Sequence, residues 1–215
     1  MTIRVFIVDD HALVRAGMSM ILSSSDDIEV VGEADTGEQA LAAIRTLSPD
    51  VVLCDLHLPG ISGLEVTERI TRGERGIRVI IVSVLEDGPM PRRLLDAGAS
   101  GYVGKGGDAC ELLRAVREVA QGRRYLANAV AQHLALSRMD GHDNPFESLS
   151  PRETEVAMLL VRGLRQEEIA RRLCLSAKTV NTHKSRLFQK LRIRDAISLA
   201  RLAGRHGMVA AVEAI

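Results

Sequence analysis

Five short apolar runs rich in β-branched residues, "IRVFIV", "IEVVGEA", "DVVLCDL", "RVIIVSV" and "GYVGK", punctuate the first half of the chain, and segments of helical period such as "HALVRAGMSMIL" and "TGEQALAAIRTL" separate them. A strand that is apolar on both faces must be covered on both faces, and strands that alternate with amphipathic helices pair in parallel. The pattern predicts a doubly wound α/β domain over residues 1–121, with a five-stranded parallel sheet between two helical layers. Thr36 and Gln39 stand at capping-box spacing at the start of the second helical segment.

Beyond residue 121 the pattern changes. Residues 122–148 read as a partly helical linker: "LANAVAQHLAL" has helical period, whereas "RMDGHDNPFES" is polar, holds Gly141 and Pro145, and has none. A helix restarts in "LSPRETEVAMLLVRG", where Ser150 is the N-cap, Pro151 the first helical residue, Glu153 the closing member of a capping box and Gly163 the stop. Residues 149–215 are expected to form an all-α domain. Charge divides along the same line, because residues 1–121 hold 12 basic and 19 acidic side chains and the remainder 16 and 9. A negative half joined to a positive one implies two jobs, the second on a polyanion.

Composition closes off several alternatives. Cys54, Cys110 and Cys174 are odd in number and far apart, so neither a disulfide framework nor a zinc site is indicated, and buried free thiols are expected. No apolar run approaches the roughly 18 residues of a membrane span, and Asp9 and Asp10 interrupt the first run too early for a signal-peptide core. A soluble, cytoplasmic protein is expected. The chain has no Trp, 2 Tyr and 3 Phe, which leaves little for stacking on single-stranded nucleic acid.

In a parallel sheet every strand ends at the same rim, so residues distant in sequence converge there. The first run ends in Asp9-Asp10, the third in Asp55, the fourth in Ser83 and the fifth in Lys105. Crowded carboxylates repel one another unless they hold a hard divalent cation, for which Mg²⁺ fits best. A cation beside a free carboxylate, with a lysine and a hydroxyl to meet equatorial oxygens, is equipped to receive a phosphoryl group. Asp55 is then the nucleophile. Asp9 and above all Asp10 hold the cation, the main-chain carbonyl of His57 completes its shell, and Lys105 and Ser83 bind phosphoryl oxygens. "GASGYVGKGG" is no P-loop, since neither Ser nor Thr follows Lys105, and no G-x-G-x-x-G follows the first run. His57 stands where a phosphatase built on a nucleophilic Asp carries a second acid. That departure favours a lasting label over turnover, hence a regulator and not an enzyme.

"QEEIARRLCLSAKTVNTHKSRLFQKL" reads as helix, turn, helix, with Ile169 and Leu173 facing inward on the first helix and Ser176 capping the second. At 100° per residue Val180, Leu187 and Leu191 form one stripe, and Lys178, Asn181, Thr182, Ser185 and Gln189 lie opposite. These polar side chains suit base edges in the major groove of double-stranded DNA. Lys184 and Arg186 beside them, with Thr179 near the helix start, are the candidate phosphate contacts, and His183 is expected to pack inward. From Arg171 to Arg194 there are eight Lys or Arg and no acid, a patch that attracts phosphates without reading sequence. The last helix, "DAISLARLAG", is a candidate dimer surface, as two-fold dimers suit paired half-sites.

On Asp9, Asp10, Asp55, Ser83, Tyr102 and Lys105, with Pro59 and Gly63 in the loop after the acceptor, the first 121 residues resemble the receiver domain of a two-component response regulator. Gly106 departs from the Pro that many receivers carry after the lysine. The resemblance implies a flavodoxin-like strand order 2-1-3-4-5, Asp55 as the aspartyl-phosphate acceptor, Ser83 as a switch hydroxyl and Tyr102 as a switch aromatic. "TVNTHKSRLFQKL" resembles the LuxR-type helix-turn-helix, and the two parts together resemble the NarL/FixJ class. "VDDHALVRAGM", "GKGG", "NPFESLS", "LCLSAKTVNTHKSRLFQKL" and "RHGMV" are similar to the GacA/UvrY/SirA group of global regulators. That likeness implies a membrane-bound hybrid sensor histidine kinase as phosphodonor, an active homodimer on promoter DNA, activation of small regulatory RNA genes, and RNA polymerase as a further partner.

Overall fold

A computed structural model of the chain describes residues 2–73, 76–84, 90–139, 145–173 and 175–206. Strands β1 (Ile3–Val8), β2 (Ile28–Ala34), β3 (Val51–Asp55), β4 (Arg78–Ser83) and β5 (Gly101–Gly104) alternate with helices α1 (Ala12–Ser23), α2 (Gly37–Leu47), α3 (Gly63–Gly73), α4 (Met90–Asp96) and α5 (Ala109–Ala120). All pairings are parallel, in the order β2-β1-β3-β4-β5, as expected. β3, with every residue buried, lies between β1 and β4.

The sheet has six strands, one more than the apolar runs suggested. β6 (Tyr125–Leu126) pairs with β5 through Gly101 and Tyr102. The Tyr125 N–H donates to the Ser100 carbonyl at 3.1 Å and the Ala127 N–H to the Tyr102 carbonyl at 3.0 Å. Two residues after Arg123 and Arg124 carry no period, so the strand exists through its pairing with the β5 edge and not through its own sequence. It lies in the stretch read as linker, as do α6 (Asn128–Met139) and a single 3₁₀ turn at Pro145–Ser148. Cys54 is buried as expected. Cys110 is exposed in the first turn of α5, because its side chain falls on the solvent face of that helix; Cys174 lies outside the described residues.

The all-α part consists of α7 (Pro151–Val161), α8 (Gln166–Arg172), α9 (Ala177–Lys190) and α10 (Ala196–Arg205). Ser150 and Glu153 form the expected reciprocal capping box at α7, and the hydroxyl of Ser176 accepts from the Thr179 N–H at 3.0 Å at the start of α9. Ile169, Leu173, Val180, Leu187 and Leu191 are buried. One sheet face packs Met18 and Leu22 of α1 and Leu112 and Val116 of α5 in its own core. The core on the other face runs from Phe6 and Val52 through α3 and α4 to Phe146, Leu149 and the helices of the all-α part.

Gly63 explains why α3 can begin where it does. A Cβ there would stand 2.0 Å from the main-chain carbonyl oxygen of Asp55. Gly63→Ala is expected to push the β3 terminus and the start of α3 apart, with a loss of about 2–3 kcal/mol; urea unfolding of the full chain measures it.

Candidate functional site

The rim of the sheet gathers the acids that the strand ends anticipate. Asp9 follows β1 and is fully buried, Asp10 is partly exposed, and Asp55 ends β3 at 3% exposure. Lys105, just after β5, reaches between them: its Nζ is 2.7 Å from Asp9 Oδ2 and 3.1 Å from Asp55 Oδ2. Burial pushes the Asp55 carboxyl up. Lys105 and the His57 main-chain N–H, which donates to it, draw it back, while Asp9 pushes it further up. Burial would lower the Lys105 ammonium, but the two carboxylates outweigh it and hold the group above its ordinary range. Both charges therefore stand, each conditional on the other.

His11 belongs to this group, although the sequence reading passed over it. It occupies the N-cap position of α1 without capping it. Instead its Nδ1 lies 2.7 Å from Asp10 Oδ1 and 3.4 Å from Asp9 Oδ1. Its place directly after the acid pair was the available signal. One donor atom each from Asp9, Asp10, His11 and Asp55 falls within 4.8 Å of the others, close enough for one ion. Asp9 Oδ2 and Asp10 Oδ1 are sealed from solvent, against Lys105 and His11 respectively. Oxygen donors of this kind, with excess negative charge, fit a hard divalent cation.

Ser83 ends β4 at 1% exposure, one residue beyond Val82, which is in register with Asp55. Its carbonyl accepts from the Lys105 N–H at 2.8 Å, which ties the β4 and β5 ends together. Tyr102 on β5 is wholly buried, in the core shared with the all-α part. The structure gives His57 a second feature: its Nε2 is enclosed without a hydrogen bond, and burial, together with the field of Arg162, Arg172 and Lys105, lowers its pKa to about 3. That imidazole is neutral at any physiological pH.

The arginines belong to the all-α part, which rests on this rim. The Gly60 N–H donates to the Arg172 carbonyl at 3.1 Å, and the Arg172 guanidinium lies 3.6 Å from Asp10 Oδ2. Glu155 of α7 hydrogen-bonds Ser62 and Arg152. From the other side, Arg93 of α4 donates to the Phe146 carbonyl at 3.0 Å, to the Leu149 carbonyl and to the Thr154 hydroxyl.

The polar stripe of α9 faces outward. Lys178, Asn181, Thr182, Ser185, Arg186 and Gln189 are all exposed, and the receiver rim covers none of them. Lys184 is half-buried with its ammonium 5.6 Å from the centre of the Phe188 ring. The Thr179 hydroxyl is 2.7 Å from that of Ser176, so part of its hydrogen bonding is spent on the cap. His183 is half-buried, with Nδ1 enclosed, consistent with an inward role.

Rim and stripe give the chain two parts: an acidic α/β part with a carboxylate–lysine pocket and a basic helical part with an exposed polar stripe. Residues 5–117 match the response regulator receiver domain and residues 147–203 the bacterial regulatory proteins of the luxR family. The chain belongs to the response regulators with a LuxR-type DNA-binding domain. It is 46% identical over 209 residues to Response regulator GacA of Pseudomonas aeruginosa, covering 96% of this chain and 98% of that one. It is 43% identical over 208 residues to Response regulator UvrY of Escherichia coli K12, covering 96% and 95%. Among solved structures, the RcsB response regulator of Salmonella typhimurium superposes with a TM-score of 0.73 at 25% identity over 96% of this chain and 98% of that one. RcsB from Salmonella enterica serovar Typhimurium bound to promoter rprA in the presence of phosphomimetic BeF₃⁻ superposes with a TM-score of 0.71 at 26% identity over 95% and 99%.

The raised Asp55 has a consequence for stability. Its carboxyl binds a proton more tightly folded than unfolded, so its ionisation costs stability, fully above the folded pKa and less as pH falls through it. Asp55→Asn is expected to raise the melting temperature at pH 7.5 by about 2–4 °C, and the gap to wild type should close as the buffer is taken toward pH 4. Calorimetry across that range measures both.

Proposed function

We propose that Asp55 is the phosphoacceptor and that its phosphorylation switches DNA binding by α9. One observation carries the reading: Asp55 stands within ion-pair reach of Lys105, with the acid pair Asp9 and Asp10 clustered beside it, in a chain that also presents an exposed basic helix. Asp10, with Asp9, Asp55 and the His57 carbonyl, would hold Mg²⁺, which when bound neutralises the incoming phosphoryl oxygens. The Asp55 carboxylate attacks the phosphorus of the donor's phosphohistidine, so that an O–P bond forms as the P–N bond breaks and the donor's imidazole leaves. Lys105 then moves its charge to the new phosphoryl group, and Ser83 donates its hydroxyl to a second phosphoryl oxygen. Ser83 closes β4 just ahead of α4, and α4 carries Arg93, the clamp on Phe146, Leu149 and Thr154. A pull on the β4 end is thus a pull on that clamp, and the inward Tyr102 fills the space behind it.

The phosphodonor in this reading is a membrane-bound hybrid sensor histidine kinase. The protein works in the cytoplasm as a dimer on two half-sites, with Ile197 of α10, 68% exposed, on the pairing surface. Its output is activation of transcription together with RNA polymerase, small regulatory RNA genes among the targets. It accepts a phosphoryl group with slow loss at most, because His57 stands where a phosphatase built on a nucleophilic Asp carries a second carboxyl group, and a buried imidazole that binds a proton so weakly is a poor base for activating water.

A mobility shift with a small phosphodonor and Mg²⁺ tests the switch. Phosphorylation is expected to tighten promoter binding about tenfold, with Asp55→Asn unresponsive; equal affinity in all samples removes the switch. In the DNA interface, Arg186→Ala is expected to weaken binding to all sequences alike and to lower the slope of log K against log salt by about one. Asn181→Ala should leave that slope unchanged and relax one base preference.

A further inference from the structure

The all-α part sits on the phosphoacceptor rim and leaves its own DNA-reading face open. Lys178, Asn181, Thr182, Ser185 and Gln189 point away from the contact and are exposed. What the contact covers is the acid pocket. α8 presents its C-terminal end there, with the Arg172 carbonyl accepting from Gly60 and the Arg172 guanidinium 3.6 Å from Asp10 Oδ2. Gly60 is buried beneath it with a φ of 76°, in the loop that joins Asp55 to α3. Arg162, at the end of α7, adds a second positive charge whose field reaches Asp55 and His57. The rim, with Asp9, Asp10 and Asp55 against Lys105, carries excess negative charge, and a positive side chain from the other domain supplies part of what it lacks.

We propose that Arg172 is an internal competitor of the divalent cation: α8 and the cation are mutually antagonistic ligands of Asp10, so that cation binding by itself loosens the all-α part from the receiver rim. This rests on the cation site proposed above and adds a consequence for the unphosphorylated protein. Asp10 Oδ2 faces Arg172, whereas Asp10 Oδ1 faces His11. A divalent ion held on that carboxylate brings its own charge and bound waters to the side where the guanidinium stands. Charge repulsion and the room taken by those waters then act against Arg172. By linkage the effect is reciprocal, so removing Arg172 tightens the cation. Regulation in this scheme does not uncover the DNA-reading helix, which is open from the start. It frees the domain that carries the helix to take up another orientation, such as the one a second copy on an adjacent half-site requires.

The test uses the full-length, unphosphorylated chain. Binding of Mn²⁺, as a probe for the site, is measured by titration calorimetry, and the radius of gyration by small-angle X-ray scattering across a millimolar Mg²⁺ series at constant ionic strength. Arg172→Gln is expected to bind Mn²⁺ about threefold more tightly than wild type and to be expanded before Mg²⁺ is added. Wild type should expand as Mg²⁺ rises, whereas Asp10→Asn, which loses the same ion pair, should start as expanded as Arg172→Gln and stay unmoved by Mg²⁺. Arg165→Gln, which removes the same charge from the exposed start of α8, should match wild type. An unchanged far-ultraviolet circular dichroism spectrum and melting temperature show that the helices of Arg172→Gln are folded. Equal Mn²⁺ affinity in wild type and Arg172→Gln, or a wild-type radius unmoved at saturating cation, overturns the proposal. Absence of Mn²⁺ binding in every sample overturns the cation site itself and this inference with it.

Discussion

The pair of ion contacts from Lys105 to Asp9 and Asp55 is the constraint around which the receiver is arranged. Three carboxylates at one rim of a buried sheet would repel one another strongly in so dry a place, and one ammonium in contact with two of them offsets that repulsion. The arrangement is deliberately short of charge. Lys105 answers two acids and leaves Asp10 to His11, to Arg172 and to whatever cation arrives. A fully neutralised rim would be more stable and would have no excess negative charge with which to attract a cation.

That deficit also explains how a local chemical event can be felt elsewhere in the chain. The half-exposed pair between Arg172 and Asp10 is worth about 0–1 kcal/mol. In the proposed switch a divalent ion on Asp10 would outweigh it, and so would a phosphoryl group that recruits Lys105. The apolar side of the contact is larger, since one continuous core links α3 and α4 to Phe146 and Leu149. Arg93 of α4 closes it with hydrogen bonds to main-chain carbonyls of the connecting segment. The two attachments differ in kind: one responds to charge at Asp10, the other to the position of α4. In the proposed switch a phosphoryl group on Asp55 would act on both, the first through the field and the second through Ser83 and β4.

Most of the fold was legible because it rests on patterns that sequence carries directly. Five β-branched runs gave five strands in the expected order, and Ser150 and Ser176 cap α7 and α9 as their positions demanded. β6 was not legible, since two residues have no period and Tyr125 and Leu126 become a strand only against Gly101 and Tyr102. The exposure of Cys110 was missed for a related reason: composition says that free thiols tend to be buried, but the helix phase of α5 decides where this one points. In the pocket, Asp9, Asp10, Asp55 and Lys105 followed from strand ends alone. His11 did not, because its role depends on a side chain turned back from the N-cap toward the acids, which no spacing rule encodes.

The relation between the two parts was the least legible of all, and the structure gives it a direction. A basic domain beside an acidic one invites the idea that the acidic surface covers the basic DNA-reading face. Here the net charges attract, but the contact uses the Arg172 end of α8 and leaves the polar stripe of α9 in solvent. The reason lies in burial. The apolar residues available for docking are on the Phe146, Leu149 and α7 side, and they orient the domain before charge acts. Charge then selects which polar group meets the rim, and Arg172 is the one within reach of Asp10. The part of the protein that reads DNA and the part that holds the receiver are therefore different surfaces of the same small domain. Binding one does not by geometry forbid binding the other. If phosphorylation controls DNA binding as proposed, the coupling would run through domain orientation and pairing of copies, with which an open α9 and an exposed Ile197 on α10 agree.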